Sequence, residues 1–190
     1  MRVVAGKNRG MRLKMVASKL TRPTTDKVKE ALFSIITPYI KAGLVLDLYA
    51  GSGALGIEAV SRGYSKAYLV DHARPAIDVI KANVAATKNP QAFEIMRLPA
   101  SQALTKMAED GLKFDLLIFD PPYAKQHIAN DVKQLQDDGL LAEDALLVAE
   151  TDDHGFHSLN DNLPAGFTVL AQKNYGITYL TIFKKDKING

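Results

Sequence analysis

Between residues 44 and 150, short apolar runs alternate with segments whose apolar residues recur at helical spacing. The runs are Leu44–Leu48, Ala67–Val70, Phe93–Arg97, Phe114–Phe119 and Ala145–Glu150. The segments between them carry Leu55/Ala59/Val60, Ile77/Ile80/Val84, Leu104/Met107/Ala108 and Ile128/Val132/Leu135. A helix between two strands acts as a crossover, which leaves those strands parallel and covers a face of the sheet. The alternation therefore predicts a doubly wound α/β sheet. Gly63, Gly111 and Gly139 stand just past three of the helical patterns, where a left-handed residue closes a helix, and Pro75 suits a first turn. Phe167–Lys173 and Thr178–Lys184 flank Asn174-Tyr175-Gly176-Ile177 and read as an antiparallel hairpin. The expected whole is a mostly parallel, seven-stranded sheet ending in that hairpin.

The first strand runs into Asp47-Leu48-Tyr49-Ala50-Gly51-Ser52-Gly53-Ala54-Leu55-Gly56, so residues 51–56 spell G-x-G-x-x-G between a strand and a helix. Such a turn lets backbone approach a ligand closely. A dinucleotide would set its pyrophosphate here, at the helix N-terminus. Asp47, a carboxylate on the end of the same strand, is poorly placed beside two phosphates. S-adenosylmethionine instead carries an ammonium and a sulfonium, which a carboxylate attracts directly or through water. Asp71 ends the second strand twenty residues after Gly51, where an acid that accepts from ribose hydroxyls belongs. It is also placed to cap the helix that follows.

The fourth strand ends in Asp120-Pro121-Pro122-Tyr123. Ligands of open α/β sheets bind beyond the carboxyl ends of the strands. Two prolines fix the backbone and remove two donors, which leaves carbonyl oxygens to face a substrate. Asp120 adds an acceptor and Tyr123 a flat apolar face. These are the needs of an exocyclic amino group, whose lone pair is delocalised into its ring. Hydrogen bonds from its two protons to Asp120 and the Pro121 carbonyl would draw it towards a tetrahedral geometry, and Tyr123 would stack on an unstacked base. The same tetrapeptide also serves as a rigid surface turn.

The head of the chain is basic. Residues 1–30 hold nine Lys/Arg and two acids, a net +7, which leaves −4 on the other 160 residues. Arg2–Ala5 and Arg12–Val16 flank the turn-rich Gly6-Lys7-Asn8-Arg9-Gly10 and predict a hairpin. Thr24, Thr25 or Asp26 can cap a helix whose apolar face is Val28, Ala31, Leu32, Ile35 and Tyr39. We divide the chain into a basic hairpin appendage, residues 1–22, and a domain, residues 23–190. A basic end on a mildly acidic body points to a polyanion contact confined to that end, or to a solvated arm. The appendage is not needed for the glycine turn, so removing its charges is expected to leave cofactor affinity unchanged. No cysteine is present, no apolar run approaches a membrane span, and the N-terminus does not read as a signal peptide. A cytoplasmic protein with no membrane association is the expectation. His72, His127, His154 and His157 lack metal-ligand spacing, so no metal is expected.

With both motifs placed, the chain resembles the bacterial 16S rRNA guanine-N2 methyltransferases of the RsmD type. The resemblance spans nearly the whole chain. It lies in Arg2-Val3-Val4-Ala5-Gly6 with Arg9-Gly10 and Leu13, in Arg22-Pro23-Thr24-Thr25-Asp26-Lys27-Val28-Lys29-Glu30-Ala31-Leu32-Phe33, in Leu46 through Ala59, and in Asp120-Pro121-Pro122-Tyr123. The glycine and D-P-P-Y motifs are shared by many amine methyltransferases, whereas the stretch from Arg22 to Phe33 is more selective. The resemblance implies a Rossmann-like class I methyltransferase fold. It implies S-adenosylmethionine held by Asp47, Tyr49, Ala50, Gly51, Ser52, Gly53, Asp71, His72, Ala100 and Ser101, with catalysis at Asp120, Pro121, Pro122 and Tyr123. It further implies small-subunit rRNA, within an assembling subunit or free, facing Arg2, Lys7, Arg9, Arg12, Lys14, Arg22, Thr24, Thr25 and Lys27. Relatives usually carry Asp or Asn before the alanine that follows the third strand. This chain has Pro99-Ala100, so backbone or Ser101 takes over the adenine contact.

Three other functions share parts of this pattern. An adenine-N6 DNA methyltransferase uses the same amine chemistry but usually adds a target-recognition region, for which this chain has no room. A protein-glutamine methyltransferase uses a Pro-Pro-Tyr turn usually led by Asn. A ribosome-assembly RNA binder without turnover would not need Asp47, Asp120 and Tyr123 together.

Overall fold

The computed structural model describes residues 1–17, 26–122 and 127–187. Among the described residues, six α-helices and seven strands follow one another as α1 (Asp26–Ile36), β1 (Leu44–Asp47), α2 (Ala54–Arg62), β2 (Lys66–Asp71), α3 (Arg74–Ala85), β3 (Phe93–Arg97), α4 (Ala100–Glu109), β4 (Phe114–Phe119), α5 (Ile128–Asp137), β5 (Leu141–Thr151), α6 (Asp153–Asn162), β6 (Phe167–Tyr175) and β7 (Thr178–Lys185). The sheet order is β3-β2-β1-β4-β5-β7-β6. β3, β2, β1, β4 and β5 pair in parallel, and β5–β7 and β7–β6 are antiparallel. This is the doubly wound sheet with a terminal hairpin that the alternation implied.

The strands alternate their apolar side chains between two cores. Val45, Leu116 and Ile118 face one, with Leu32, Phe33 and Ile36 of α1, Ile57 and Val60 of α2, and Ile77 and Ile80 of α3. Leu46, Leu117 and Phe119 face the other, with Leu104 and Met107 of α4, Val132 and Leu135 of α5, and Leu159 of α6. Burial on both faces is why the strands read as nearly continuous apolar runs. No helix of the described residues is long and apolar enough to cross a membrane.

The structure differs from expectation at several places. α1 stops at Ile36, so Tyr39, expected on its apolar face, lies in a 3-10 turn after Pro38 and is 39% exposed. β5 begins at Leu141, four residues before the expected start. α6 was not foreseen; its sequence, DHGFHSLNDN, buries only Gly155 and Leu159. The hairpin at the head of the chain is shorter than expected: its arms pair at one antiparallel bridge, Arg2 to Arg12, flanked by Val3 N–H donating to the Met11 carbonyl at 2.9 Å and Leu13 N–H to the Met1 carbonyl at 3.1 Å, and the rest is loop.

What the loop lacks in ladder it makes up in contacts with α2 and α3. The buried Glu58 carboxylate accepts from Val4 N–H at 2.8 Å and Ala5 N–H at 3.0 Å. It also pairs with the fully buried Lys29 at 3.3 Å and with Arg62 at 2.8 Å. Lys29 Nζ donates in turn to the Arg2 carbonyl. Asn8, 2% exposed, donates its N–H to Ser61 Oγ at 2.9 Å and accepts from Lys88 N–H at 2.9 Å. Gly6 sits at φ +80°, and a Cβ there would lie 1.7 Å from the Ser61 carbonyl oxygen, so only glycine allows this approach.

Candidate active site

The order 3-2-1-4 places the topological switch point between β1 and β4, where crossovers diverge to opposite faces and leave a crevice. Three carboxylates stand at this edge on adjacent strands. Asp47 ends β1 opposite Leu69 of β2 and Ile118 of β4. Asp71 and Asp120 each lie two residues further along their strands, one strand to either side. Two strand spacings separate their backbones by about 10 Å.

The glycine turn hangs from two of these acids. Gly56 N–H donates to Asp47 Oδ2 at 3.0 Å, and Gly51 N–H donates to Asp71 Oδ2 at 3.0 Å. Asp71 Oδ1 accepts from Ala73 N–H at 2.9 Å, which braces the residue before α3; the expected capping role is not seen, because the helix takes Ala73 as its N-cap with no side-chain cap bond. Gly51 at φ +55° and Gly53 at φ +76° take the left-handed conformations that close the turn. A Cβ built on Gly51 meets nothing within 4 Å, so the turn presents bare backbone to open space. That space is a cradle for a ligand that needs backbone close by.

Asp47 is 1% exposed. Burial pushes its carboxyl up to about 7, the Gly56 N–H opposes the shift, and the negative charges of Asp120 and Asp71 add to it. A cation brought to this edge would stand near Asp71 and Asp120, and its field would restore charge to Asp47, which is buried beneath the turn rather than open to a ligand. Among the described residues, no cluster of His, Asp and Glu has the arrangement to hold a metal ion.

The other residues expected at a cofactor divide. Ala50 and Ser52 are buried within the turn, and Ala50 N–H donates to the Val70 carbonyl at 2.9 Å. His72 is largely exposed beside Asp71, at 3.8 Å. Ala100 and Ser101 open α4 just beyond β3, at the same edge. The Ser101 carbonyl accepts from Gln134 of α5 at 3.2 Å. Pro121 is buried and Pro122 exposed; Tyr123 lies outside the described residues. Arg2, Lys7, Arg9, Arg12, Lys14 and Lys27 are exposed, while Arg22, Thr24 and Thr25 lie outside the described residues.

Two connections at this site escaped the sequence reading. Tyr49 donates its hydroxyl to Asp131 Oδ2 at 2.6 Å, tying the glycine turn to α5. Burial raises the Asp131 carboxyl pKa, and the Tyr49 hydrogen bond and His127 oppose the shift. The Tyr49 hydroxyl is raised too, by burial first and then by Asp131. The second connection is Asn83 of α3, 2% exposed, which bonds both the basic head and the glycine turn. A signal existed for each: both are polar residues on the buried stripe of a helix, Asp131 among Ile128, Val132 and Leu135, and Asn83 among Ile77, Ile80 and Val84.

Known proteins share this architecture across its length. The family model described as conserved hypothetical protein 95 matches residues 1–184. The YlbH protein of Bacillus subtilis (strain 168), named as a candidate rRNA methyltransferase, is 39% identical over 97% of this chain and 99% of its own. The ribosomal RNA small subunit methyltransferase D of Escherichia coli (strain K12) is 31% identical over 97% of this chain and 90% of its own. The solved structure of the Escherichia coli protein yhhF, a candidate methyltransferase, is 28% identical with a TM-score of 0.83 and covers 99% of both chains. The chain belongs to the conserved hypothetical protein 95 family, the RsmD family of class I methyltransferases.

Proposed function

We propose that this protein transfers the methyl group of S-adenosylmethionine to the exocyclic N2 of a guanine in small-subunit rRNA. The observation that carries the reading is the set of carboxylates on three adjacent strand ends around a bare glycine turn. A cationic nucleoside fits such an edge: its charge offsets three acids, and its ribose hydroxyls find an acceptor in Asp71. The rRNA substrate rests on the names of the relatives, and the guanine N2 on the family resemblance.

S-adenosylmethionine supplies an electrophilic methyl group on its sulfonium. The protein does the rest by positioning. Asp47 and Asp71 hold the glycine turn in its ligand-facing shape, Gly51 keeps a side chain out of the open space, and Gly53 packs closely on Leu69, Ile57 and Ile80. Asp120 and the Pro121 carbonyl accept the two protons of the guanine amine, and Tyr123 stacks on the base. The amine proton lost on transfer leaves towards Asp120 or water. Arg2, Lys7, Arg9, Arg12, Lys14 and Lys27, with Arg22, Thr24 and Thr25, meet RNA phosphate and sugar. Such an enzyme works where ribosomes are assembled, in the cytoplasm, and the appendage at residues 1–22 serves as its RNA contact.

The test is incubation with labelled methyl donor and either free small-subunit rRNA or small subunits from a strain lacking the gene. Nucleoside analysis is expected to give N2-methylguanosine. N6-methyladenosine, or label in protein glutamine, would replace this reading with one of its rivals. Absence of any transfer to either form of RNA would favour an RNA binder without turnover.

A further inference from the structure

The basic head and the glycine turn meet at one side chain. Asn83 Oδ1 accepts from Lys14 N–H at 2.8 Å, and Asn83 Nδ2 donates to the Lys14 carbonyl at 3.0 Å. The same Nδ2 donates to the Ser52 carbonyl at 2.8 Å. One primary amide thus pairs with both backbone groups of Lys14 and with the carbonyl between Gly51 and Gly53. It does so at 2% exposure, where a broken hydrogen bond is not replaced by water and costs the full desolvation of each group. The Asn83 backbone is held on α3 between Ile80 and Val84, so what ordering remains lies in its amide and in the two loops that the amide joins.

We propose that Asn83 is a positioning residue that couples RNA binding at the basic head to cofactor binding at the glycine turn. The inference rests on the proposed function for what each side binds. The physical argument is ordering: a ligand on the turn fixes Ser52, Ser52 fixes the Asn83 amide, and the amide fixes the backbone at Lys14. RNA arriving second then spends less on ordering its contact surface, and by reciprocity RNA raises affinity for the cofactor by the same factor. The grip is on backbone, so the coupling does not depend on the Lys14 side chain. It replaces the expectation that the head is irrelevant to the turn.

The experiment measures affinity for small-subunit rRNA, purified from a strain lacking the gene, with and without saturating S-adenosylhomocysteine. The ratio of the two dissociation constants is the readout, because a change in general stability does not move it. Wild type is expected to bind RNA about fivefold or more tightly with the nucleoside present, the lower end of usual coupling. N83A is expected to bring the ratio to about one, whereas K14A weakens RNA binding and keeps the ratio. A ratio of one in wild type, or an unchanged ratio in N83A, overturns the coupling alone. Failure of wild type to bind rRNA at all overturns the proposed function with it. Should N83A fail to fold, hydrogen exchange on wild type decides. S-adenosylhomocysteine is expected to slow exchange at the Lys14 amide about fivefold or more relative to the amides of β6, at the far edge of the sheet. Equal effects at the two places overturn the proposal.

Discussion

Asp120 and Asp47 are both carboxylates at one sheet edge, and their surroundings give them different work. Asp120 is partly exposed where a substrate amine would sit, so its value lies in being an acceptor. D120N keeps the shape, weakens the acceptor and aims a donor at an N–H. Turnover is expected to fall about 100-fold or more, the scale for one preorganised electrostatic contact. Single-turnover assays on undermethylated small subunits, with mass spectrometry of the nucleoside, check this; near-normal N2-methylguanosine formation by D120N would rule the role out. Asp47 is buried and titrates near 7 rather than near 3.8. Between about pH 4 and 7 the folded protein therefore holds a proton that the unfolded chain has released. This group's contribution to stability is full below about pH 4 and is lost as pH rises through about 7. A sulfonium or ammonium nearby favours the ionised form, so cofactor binding in that window releases a proton and tightens with pH, by up to about tenfold per unit. Calorimetry in buffers of different ionisation enthalpy is expected to show the released proton in wild type and not in D47N. Equal proton release in the two proteins would remove Asp47 from cofactor recognition.

At the scale of elements, the parallel sheet was legible because burial on both faces leaves an unmistakable pattern, and β3 and β4 have the expected bounds. α6 was not legible: a helix with two buried residues has almost no periodicity, and its Asp152 cap, which accepts from Gly155 N–H at 2.8 Å, lies in a polar run that reads as loop. The head was legible only as far as its one antiparallel bridge, Arg2 to Arg12. Its turn residues and apolar flanks are those of a hairpin, yet the backbone groups pair with Glu58, Ser61 and Asn83 of the neighbouring helices, which no local pattern reveals. The grouping of the candidate site was legible where it depends on backbone and strand ends, at residues 47–56 and 71. It was not legible where it depends on long-range side chains, as with Tyr49 and Asp131, 82 residues apart. Glu58 shows how much such a group carries. It is fully buried against Lys29 and accepts from two backbone N–H groups. E58A would strand a buried ammonium and two donors, and a loss of about 3–5 kcal/mol in unfolding free energy is expected from denaturant titration. A loss below about 1 kcal/mol would mean that Lys29 and the head find other partners.

Across the whole molecule, charge is segregated. A net +7 on residues 1–30 faces a body of net −4, and the strand-end acids Asp47, Asp71 and Asp120 lie within that body. The two regions want ligands of opposite sign, a polyanion and a small cation, and the packing of the head on α2 and α3 keeps them adjacent. Segregation of this kind orients an RNA: phosphates are drawn to the head and repelled from the acidic edge, so only an unstacked base, which carries no charge, enters the crevice at low cost. The consequence is a testable salt dependence. If Arg9, Arg12 and Lys14 contact phosphate as proposed, each contact releases condensed counterions, so RNA affinity is expected to fall as salt rises, with a slope set by the number of contacts. The variant with all three changed to Ala is expected to bind more weakly at low salt and to lose about two to three from the log–log slope, at about 0.7–0.9 for each contact removed. The difference from wild type should close as salt increases. The Asn83 bonds are made to the Lys14 backbone, which the substitutions leave in place, so cofactor affinity in the absence of RNA is expected to be unchanged. Identical slopes in the two proteins would make these three side chains a solvated face and move the RNA contact elsewhere.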